Sequence, residues 1–220
     1  MTKAGGFTQV KRLPEKAVTE RQVLNEILDS YFVAHIGAVD NKQPLVVPVG
    51  YARIEDQIFI HGSSASRLFK LLAQGAPAAM TVTNLDGIVL ARSLFESSMN
   101  YRCAMVFGAF RKVEGAEEIA GLKAITEQIV PGRWSDARQP TPQELKATST
   151  LVMEIEQWSV KIGSGDPSDA EADLSDPVTM RMWAGVLPVT TQIGEAVADP
   201  LVPADVQVPA YVRALRGRQL

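Results

Sequence analysis

At 220 residues, with 46% hydrophobic and 21% charged side chains, the chain holds enough apolar material for one sizeable core and is short for two typical domains. A net charge of −3 gives no general basic field for nucleic acid and no lysine-rich face for a membrane. The single cysteine, Cys103, excludes an internal disulfide framework and suits a reducing compartment. The N-terminal "MTKAGGFTQVKRLPEK" lacks the apolar core of a signal peptide, and no apolar run approaches about 18 residues. Neither a signal peptide nor a membrane span is therefore expected, and the protein reads as cytoplasmic.

Residues 1–18 read as an extended arm. Thr19 with Gln22 forms a capping box, and Val23, Leu24, Ile27 and Leu28 follow at helical spacing, which predicts a helix ending near Ser30. Three strand-like runs come next: "YFVAHIGAV" (31–39), "LVVPVGYARI" (45–54) and "IFIHG" (58–62). A helix beginning near Ser64 carries Leu68, Leu71 and Leu72 on one side and should stop near Gly75. "AAMTVT" and "IVLAR" flank "NLDG", where Asp86-Gly87 predicts a hairpin turn. "MNYRCAMVFGAFRKV" (99–113) is a long strand with Tyr101, Cys103, Met105 and Phe107 on one face and Arg102, Ala104 and Val106 on the other. Gly108 marks a bulge or a close backbone approach.

A helix over 116–129, a short helix over 142–147 and a second long strand, "STLVMEIEQWSVKIG" (149–163), follow. "GSGDPSDAEADLSDP" (163–177) is acidic and reads as a solvated loop. The last 30 residues carry Pro200, Pro203 and Pro209 and a short helix around "AYVRALRGR", an arm laid over the surface or over a partner subunit. About six or seven strands without regular strand–helix alternation predict a mainly β, antiparallel barrel with peripheral helices.

"FIHGSSASRLFKLL" (59–72) has more donors than a helix cap requires. Ser63, Ser64 and Ser66 supply hydroxyls and Gly62 permits close approach. Arg67 adds a cation in the first turn, where the helix dipole alone disfavours one. An anion between Arg67 and the helix end would explain the arrangement. Both histidines, His35 and His61, lie within strands; His61 reads as a cofactor or substrate contact and His35 as structural. No metal-ligand spacing and no Gly-x-Ser-x-Gly elbow occur. Cys103 reads as a small buried thiol, and the C-terminal Arg213, Arg216 and Arg218 as solvated rather than bound to nucleic acid.

The succession helix, "AHIGAVD", "PLVVPVGY", "FIHGSSASRLFKLL", "NYRCAMVFG", "WAGVLP" resembles the pyridoxamine 5′-phosphate oxidase-like superfamily of FMN-binding split barrels. Its nitroimidazole-reductase-like flavin-binding branch is the nearest in pattern, over roughly residues 10–190. The resemblance implies an antiparallel, Greek-key-like split-barrel domain over 1–190, with 191–220 as a separate C-terminal arm. It places the FMN phosphate on His61, Gly62, Ser63, Ser66 and Arg67, and the flavin ring along Val47, Pro48, Val49 and Gly50. Tyr101, Arg102 and Cys103 would approach the flavin of the opposite subunit, and Trp183 would return to the cofactor pocket. True oxidases have a lysine where Leu68 stands and a glutamine where Cys103 stands.

The implied unit is a homodimer with two equivalent cofactor sites between subunits. FMN is the implied cofactor, because a single phosphate cradle suits it better than FAD; haem, carried by some split barrels, ranks below both. Two function classes follow. One is an FMN-dependent oxidoreductase moving electrons from NAD(P)H or another donor to a small organic substrate, with no acid or base assigned. The other is a non-catalytic flavin carrier or a flavin- or redox-sensing regulator.

Overall fold

The computed structural model describes residues 8–220. The first part of the expected N-terminal arm lies outside them. A 3-10 turn at Pro14–Lys16 leads into a short strand, β1 (Ala17–Val18), and then α1 (Arg21–Ser30). Leu24, Ile27 and Leu28, at helical spacing, are fully buried, each worth about 1.5–3 kcal/mol. The expected capping box does not form. The N-cap is Glu20, one residue later, so Thr19 stands outside the helix and Gln22 bonds forward to Glu26 instead.

The strands β2 (Val33–Asp40), β3 (Gln43–Ile54) and β4 (Gln57–Ser63) form a meander, followed by α2 (Arg67–Ala73). Then come β5 (Pro77–Leu90), β6 (Ser98–Ala109) and β7 (Arg111–Lys112). The helices α3 (Gly115–Ile129), α4 (Arg133–Asp136) and α5 (Pro142–Ala147) separate these from β8 (Thr148–Glu154) and β9 (Gln157–Gly163). The chain ends with α6 (Glu171–Ser175), β10 (Gly185–Pro188) and α7 (Ala210–Arg213). Thr141 and Glu144 form a capping box at α5.

Ten strands make one antiparallel sheet in the order β1-β9-β6-β5-β2-β3-β4-β8-β7, with β10 on the free edge of β5. The sheet closes on itself because β7 is the continuation of β6 past Phe110, and β7 pairs with β8. The barrel expected from the strand count is therefore present. Two sequence expectations change within it. The run over 149–163 divides at Ile155 and Glu156. Its first part pairs with β4 and β7, and its second with β6 and β1. Phe110 and Ile155, both buried, sit at the corner where the two halves part.

The other change concerns Asp86-Gly87, which makes no hairpin. β5 runs straight through it, and the pairing with β6 shifts between Leu85↔Tyr101 and Gly87↔Asn100, leaving Asp86 as the extra residue of a β-bulge. The true connection is the loop over 91–97. Long-range pairing on both sides of the dipeptide overrides its turn preference.

The core fills the barrel with Ile36, Tyr51, Ile60, Met80, Val82, Val106 and Leu151, while α1 and α2 contribute leucines from opposite ends. The Tyr51 hydroxyl donates to the Leu28 carbonyl at 2.6 Å, tying α1 to β3, and burial pushes its pKa well up. A second cluster, Ala52, Phe59, Val113, Ile125 and Val152, lies outside β3, β4 and β8 and is covered by α3. Among the described residues, no helix covers the outer face of β2, β5, β6 and the first half of β3 in this way. Gly108 is a close approach: a Cβ there would lie 3.2 Å from Met153.

The acidic segment is not merely solvated. Asp169, with its side chain 3% exposed, accepts from the backbone N–H and the guanidinium of Arg92, both at 2.6 Å. In the C-terminal arm Tyr211 packs on Gly132 and donates to Asp136, and Arg216 pairs with Glu195.

Gly121 lets α3 seat directly on Phe59, since a Cβ would fall 2.5 Å from the ring. Gly121→Ala should lower stability by about 1–2 kcal/mol, the overpacking cost less the gain in helix propensity. Urea denaturation checks it, as a lower midpoint at unchanged slope.

Candidate functional site

Successive residues of β2 alternate between the core and the uncovered face. Ala34, Ile36 and Ala38 point in, while His35, Gly37 and Val39 point out. Their cross-strand partners share the outward direction: Pro48, Val46 and Pro44 on β3, and Thr81 and Ala79 on β5. On β6 the outward positions are Phe107, Met105, Cys103 and Tyr101. The result is a largely apolar face interrupted by His35, Thr81 and Thr83, with Val39 60% and Val46 65% exposed. At one end it sinks into an open groove of about 590 Å³ lined by Gly37, Val39, Val46, Ala79, Phe107 and Gly108 among others.

The bend after β4 lies at the same end. Ser64 N–H donates to the Ala147 carbonyl, Ala65 N–H to Ser63 Oγ and Ser66 N–H to the Ser63 carbonyl. This turn uses up three backbone donors and delays α2 to Arg67, three residues beyond its expected start. Ser66 is the N-cap, but its hydroxyl makes no capping bond. Gly62 also has a role different from the expected one. A Cβ there would lie 2.4 Å from Phe69, so the glycine is required by helix packing. What the bend offers a ligand is the hydroxyls of Ser64 and Ser66, the first-turn backbone N–H groups of α2 and the Arg67 guanidinium, 62% exposed. Arg67 Nε donates to Asp40 at 2.6 Å, which holds the guanidinium at the end of β2 and offsets its charge.

The Val47–Gly50 stretch divides by face: Val49 is buried in the core, whereas Pro48 points outward beside His35. Over residues 43–50 β3 is paired to β2 alone, because its ladder with β4 begins at Tyr51. The backbone on that open edge is available to a ligand. Cys103 also faces outward, its sulfur 3.5 Å from Thr81 Oγ1 and 3.4 Å from Thr83 Oγ1. It is half-buried rather than enclosed. Arg102 takes the opposite face from Tyr101 and Cys103 and forms a three-contact ion pair with Asp86 at 2.8–3.2 Å. These three neighbours therefore do not converge on one point.

His61 keeps an exposed edge across from Thr150 on β8, and desolvation of the rest of the ring lowers its pKa from 6.5. Trp183 is 65% exposed just before β10, which pairs with the far end of β5. Asp40 is joined to Arg67 at the near end. The length of β5 separates the two, about 40 Å at 3.3 Å per residue. Within one copy, Trp183 and Arg67 cannot share a ligand.

Sequence reasoning missed Asp40 and the groove. The signal for the groove was present: apart from His35, the outward positions of β2, β3, β5 and β6 are mostly apolar or small where a solvated sheet face would be polar. Asp40 had no such signal, since its partner is 27 residues away. Among the described residues, no three His, Cys, Asp or Glu side chains gather as a metal site, and no helix is long and apolar enough to cross a membrane.

A closed antiparallel barrel of this order, with its corner strands split between two sheet segments, is the architecture of the flavin-binding split barrels. The profile of the pyridoxamine 5′-phosphate oxidase family matches residues 20–162, and the chain belongs to that family. No curated protein sequence matches it. Among solved structures it is similar to the FAD and haem binding protein of Mycobacterium smegmatis, at 40% identity over 92% of this chain and 98% of that one, TM-score 0.86. It is likewise similar to the flavocytochrome Anf3 of Azotobacter vinelandii, at 33% identity over 97% and 98%, TM-score 0.89. A Bacteroides thetaiotaomicron protein described by 5-nitroimidazole antibiotic resistance shares the fold at 18% identity over 66% and 86%, TM-score 0.56. The first two likenesses extend past the matched family segment into the C-terminal region.

Because the folded His61 pKa lies below its unfolded value, the unfolded chain binds the extra proton. The contribution of this group is intact above 6.5 and is lost as pH falls through the folded pKa. His61→Gln should flatten the decline in urea midpoint between about pH 6.5 and 5. An identical slope in the two proteins would contradict the assignment.

Proposed function

We propose that the protein is a dimeric flavin-binding redox protein whose ring site is the outer groove, and that the flavin is FAD rather than FMN. The observation that carries the reading is the groove itself: an apolar slot on an uncovered sheet face, at the same end as an exposed arginine and free hydroxyls. A flavin needs a flat apolar slot, a few polar contacts at the ring edge and a grip on its phosphate. The groove, the open edge of β3 and the Ser64–Ser66–Arg67 group are suited to these needs.

The preference for FAD rests on the weakness of the grip. Three backbone donors of the bend are already used, and Asp40 offsets Arg67. A monophosphate dianion held by so little needs further contacts, and an adenosine moiety can supply them. The 40% identical relative is named for FAD. Dimerisation is favoured by the exposed apolar residues of the outer face, Val39 and Val46 among them. When bound, the flavin supplies one- and two-electron exchange. The chain's own part is to exclude water, fix the phosphates and present backbone to the ring.

A haem in the same chain is the second element of the reading. It is favoured by the names of both relatives above 30% identity and by His61, an exposed imidazole kept neutral. Neutral imidazole is the form that ligates iron. His35 lies instead on the face assigned to the subunit contact.

Purified protein should be yellow, with a flavin band near 450 nm and a Soret band after haemin addition. Mass analysis of the released chromophore should give FAD. A colourless protein that takes up neither flavin on titration would refute the proposal. Arg67→Ala should weaken FAD binding by about 1–2 kcal/mol, roughly 5- to 30-fold, less than a full charge-assisted bond because Asp40 screens it. His61→Ala should abolish the Soret band while His35→Ala keeps it. The reverse pattern would move the iron to His35.

A further inference from the structure

Four exposed cations, Lys42, Arg67, Lys70 and Lys146, gather around the bend after β4, in a chain whose net charge is −3. Arg67 opens α2, and Lys70 follows one turn on, with about 5–6 Å between their Cβ atoms. Asp40 brings Lys42 to the same corner: it accepts from Arg67 Nε and stands two residues before Lys42, in the turn between β2 and β3. Lys146 precedes Ala147, whose carbonyl accepts from Ser64 N–H, and so flanks the bend from the other side. Among the described residues only Arg67 of these four forms an ion pair; Lys42, Lys70 and Lys146 have no carboxylate.

Lys42 is also held in an unusual backbone conformation. Asn41 and Lys42 have φ of 48° and 66°, the left-handed pair that a two-residue hairpin turn needs. Glycine suits the second of these positions best, and a lysine there bears strain that glycine would avoid. The strand pair that leads into the turn, Val39 and Pro44, lines the groove, so the strained lysine stands at the groove's mouth.

We propose that Lys42 and Lys70 form a diphosphate site beside Arg67, which takes the linker of a dinucleotide. The inference rests on the flavin reading above and deepens it, because these two lysines then select FAD over FMN. A monophosphate on Ser64, Ser66 and Arg67 leaves both lysines unmatched, whereas a second phosphate joined to the first lies between them. Lysine is a compact charge on a flexible stem and can follow a bending diphosphate where the rigid arginine fork cannot. A nucleic acid fits less well, since it needs a longer run of cations than one helical turn and one hairpin turn supply. A nicotinamide dinucleotide carries the same diphosphate and is the other source of this chemistry.

The test titrates FAD and FMN, followed by fluorescence at two salt concentrations, into the wild-type protein and a Lys42→Gly/Lys70→Gln double variant. Lys123→Gln, at an exposed position of α3, controls for the general field. The double variant should raise the FAD dissociation constant about 10-fold and the FMN constant less than about 2-fold, with a flatter salt dependence for FAD. Lys123→Gln should match the wild type. Lys42→Gly alone should weaken FAD binding while keeping the urea midpoint at or above the wild-type value, an opposition that loss of structure cannot produce. ADP-ribose added to FMN-loaded protein separates the two sources: its binding by the wild type and loss in the double variant, with FAD affinity unchanged, gives the site to a nicotinamide dinucleotide. Equal loss of FAD and FMN affinity, an equal loss in Lys123→Gln, or FAD and ADP-ribose affinities that the double variant leaves unchanged would each overturn the inference. In the last case, flavin bound by every variant would keep the flavin reading. A wild-type protein that takes up neither flavin but binds ADP-ribose through the lysines would do the reverse, and one that binds none of the three would defeat both.

Discussion

β5 lies antiparallel to β6 from Pro77↔Ala109 to Val89↔Ser98, and this long ladder divides the protein into what it buries and what it leaves bare. Inward residues such as Met80, Val82, Ala104 and Val106 fill the barrel. Their outward neighbours make the uncovered face. Because side chains alternate along a strand, the two sets cannot be exchanged without losing the core, so the bare face persists as long as the barrel does. α3 solves the same problem for β3, β4 and β8 by lying over Phe59 and Val152, whereas α1 meets β5 and β6 from the core side and, among the described residues, no helix lies over their outer face. The asymmetry is what leaves room for the proposed site.

Several cations around that face are partnered: Arg67 meets Asp40, Arg92 meets Asp169, and Lys161 donates to the Arg12 carbonyl. The face is thus largely apolar, with His35, Thr81 and Thr83 as its polar members. Such a surface suits a flat aromatic ring with a charged tail at one end better than a compact polyanion. The Asp86 bulge takes part in this: the inserted residue reaches Arg102 and also accepts from Val189 N–H, so one irregularity anchors both the ion pair and β10.

Local pattern made a good part of the fold legible. The spacing of Leu24, Ile27 and Leu28, the Pro142 start of α5 and the alternation along β6 depend on residues within a few positions, where periodicity operates. The errors share one cause. Asp86-Gly87 has a turn preference, but β6 on one side and β10 on the other hold it extended. Ser64 could start a helix, but its N–H is taken by Ala147, 83 positions away. Thr19 could cap, but the barrel end sets the start of α1 one residue later.

From chain order alone came the class of the protein, an antiparallel barrel with edge helices, and the short stretch on which a phosphate grip would be built. Those follow from propensity and period, which act over a turn or a pleat. The partner of Arg67, the packing role of Gly62, the divergence of Arg102 from Cys103 and the bareness of one face came from folding alone. Each is a meeting of residues far apart in sequence, and no local preference encodes which strands will be neighbours or which face a helix will cover.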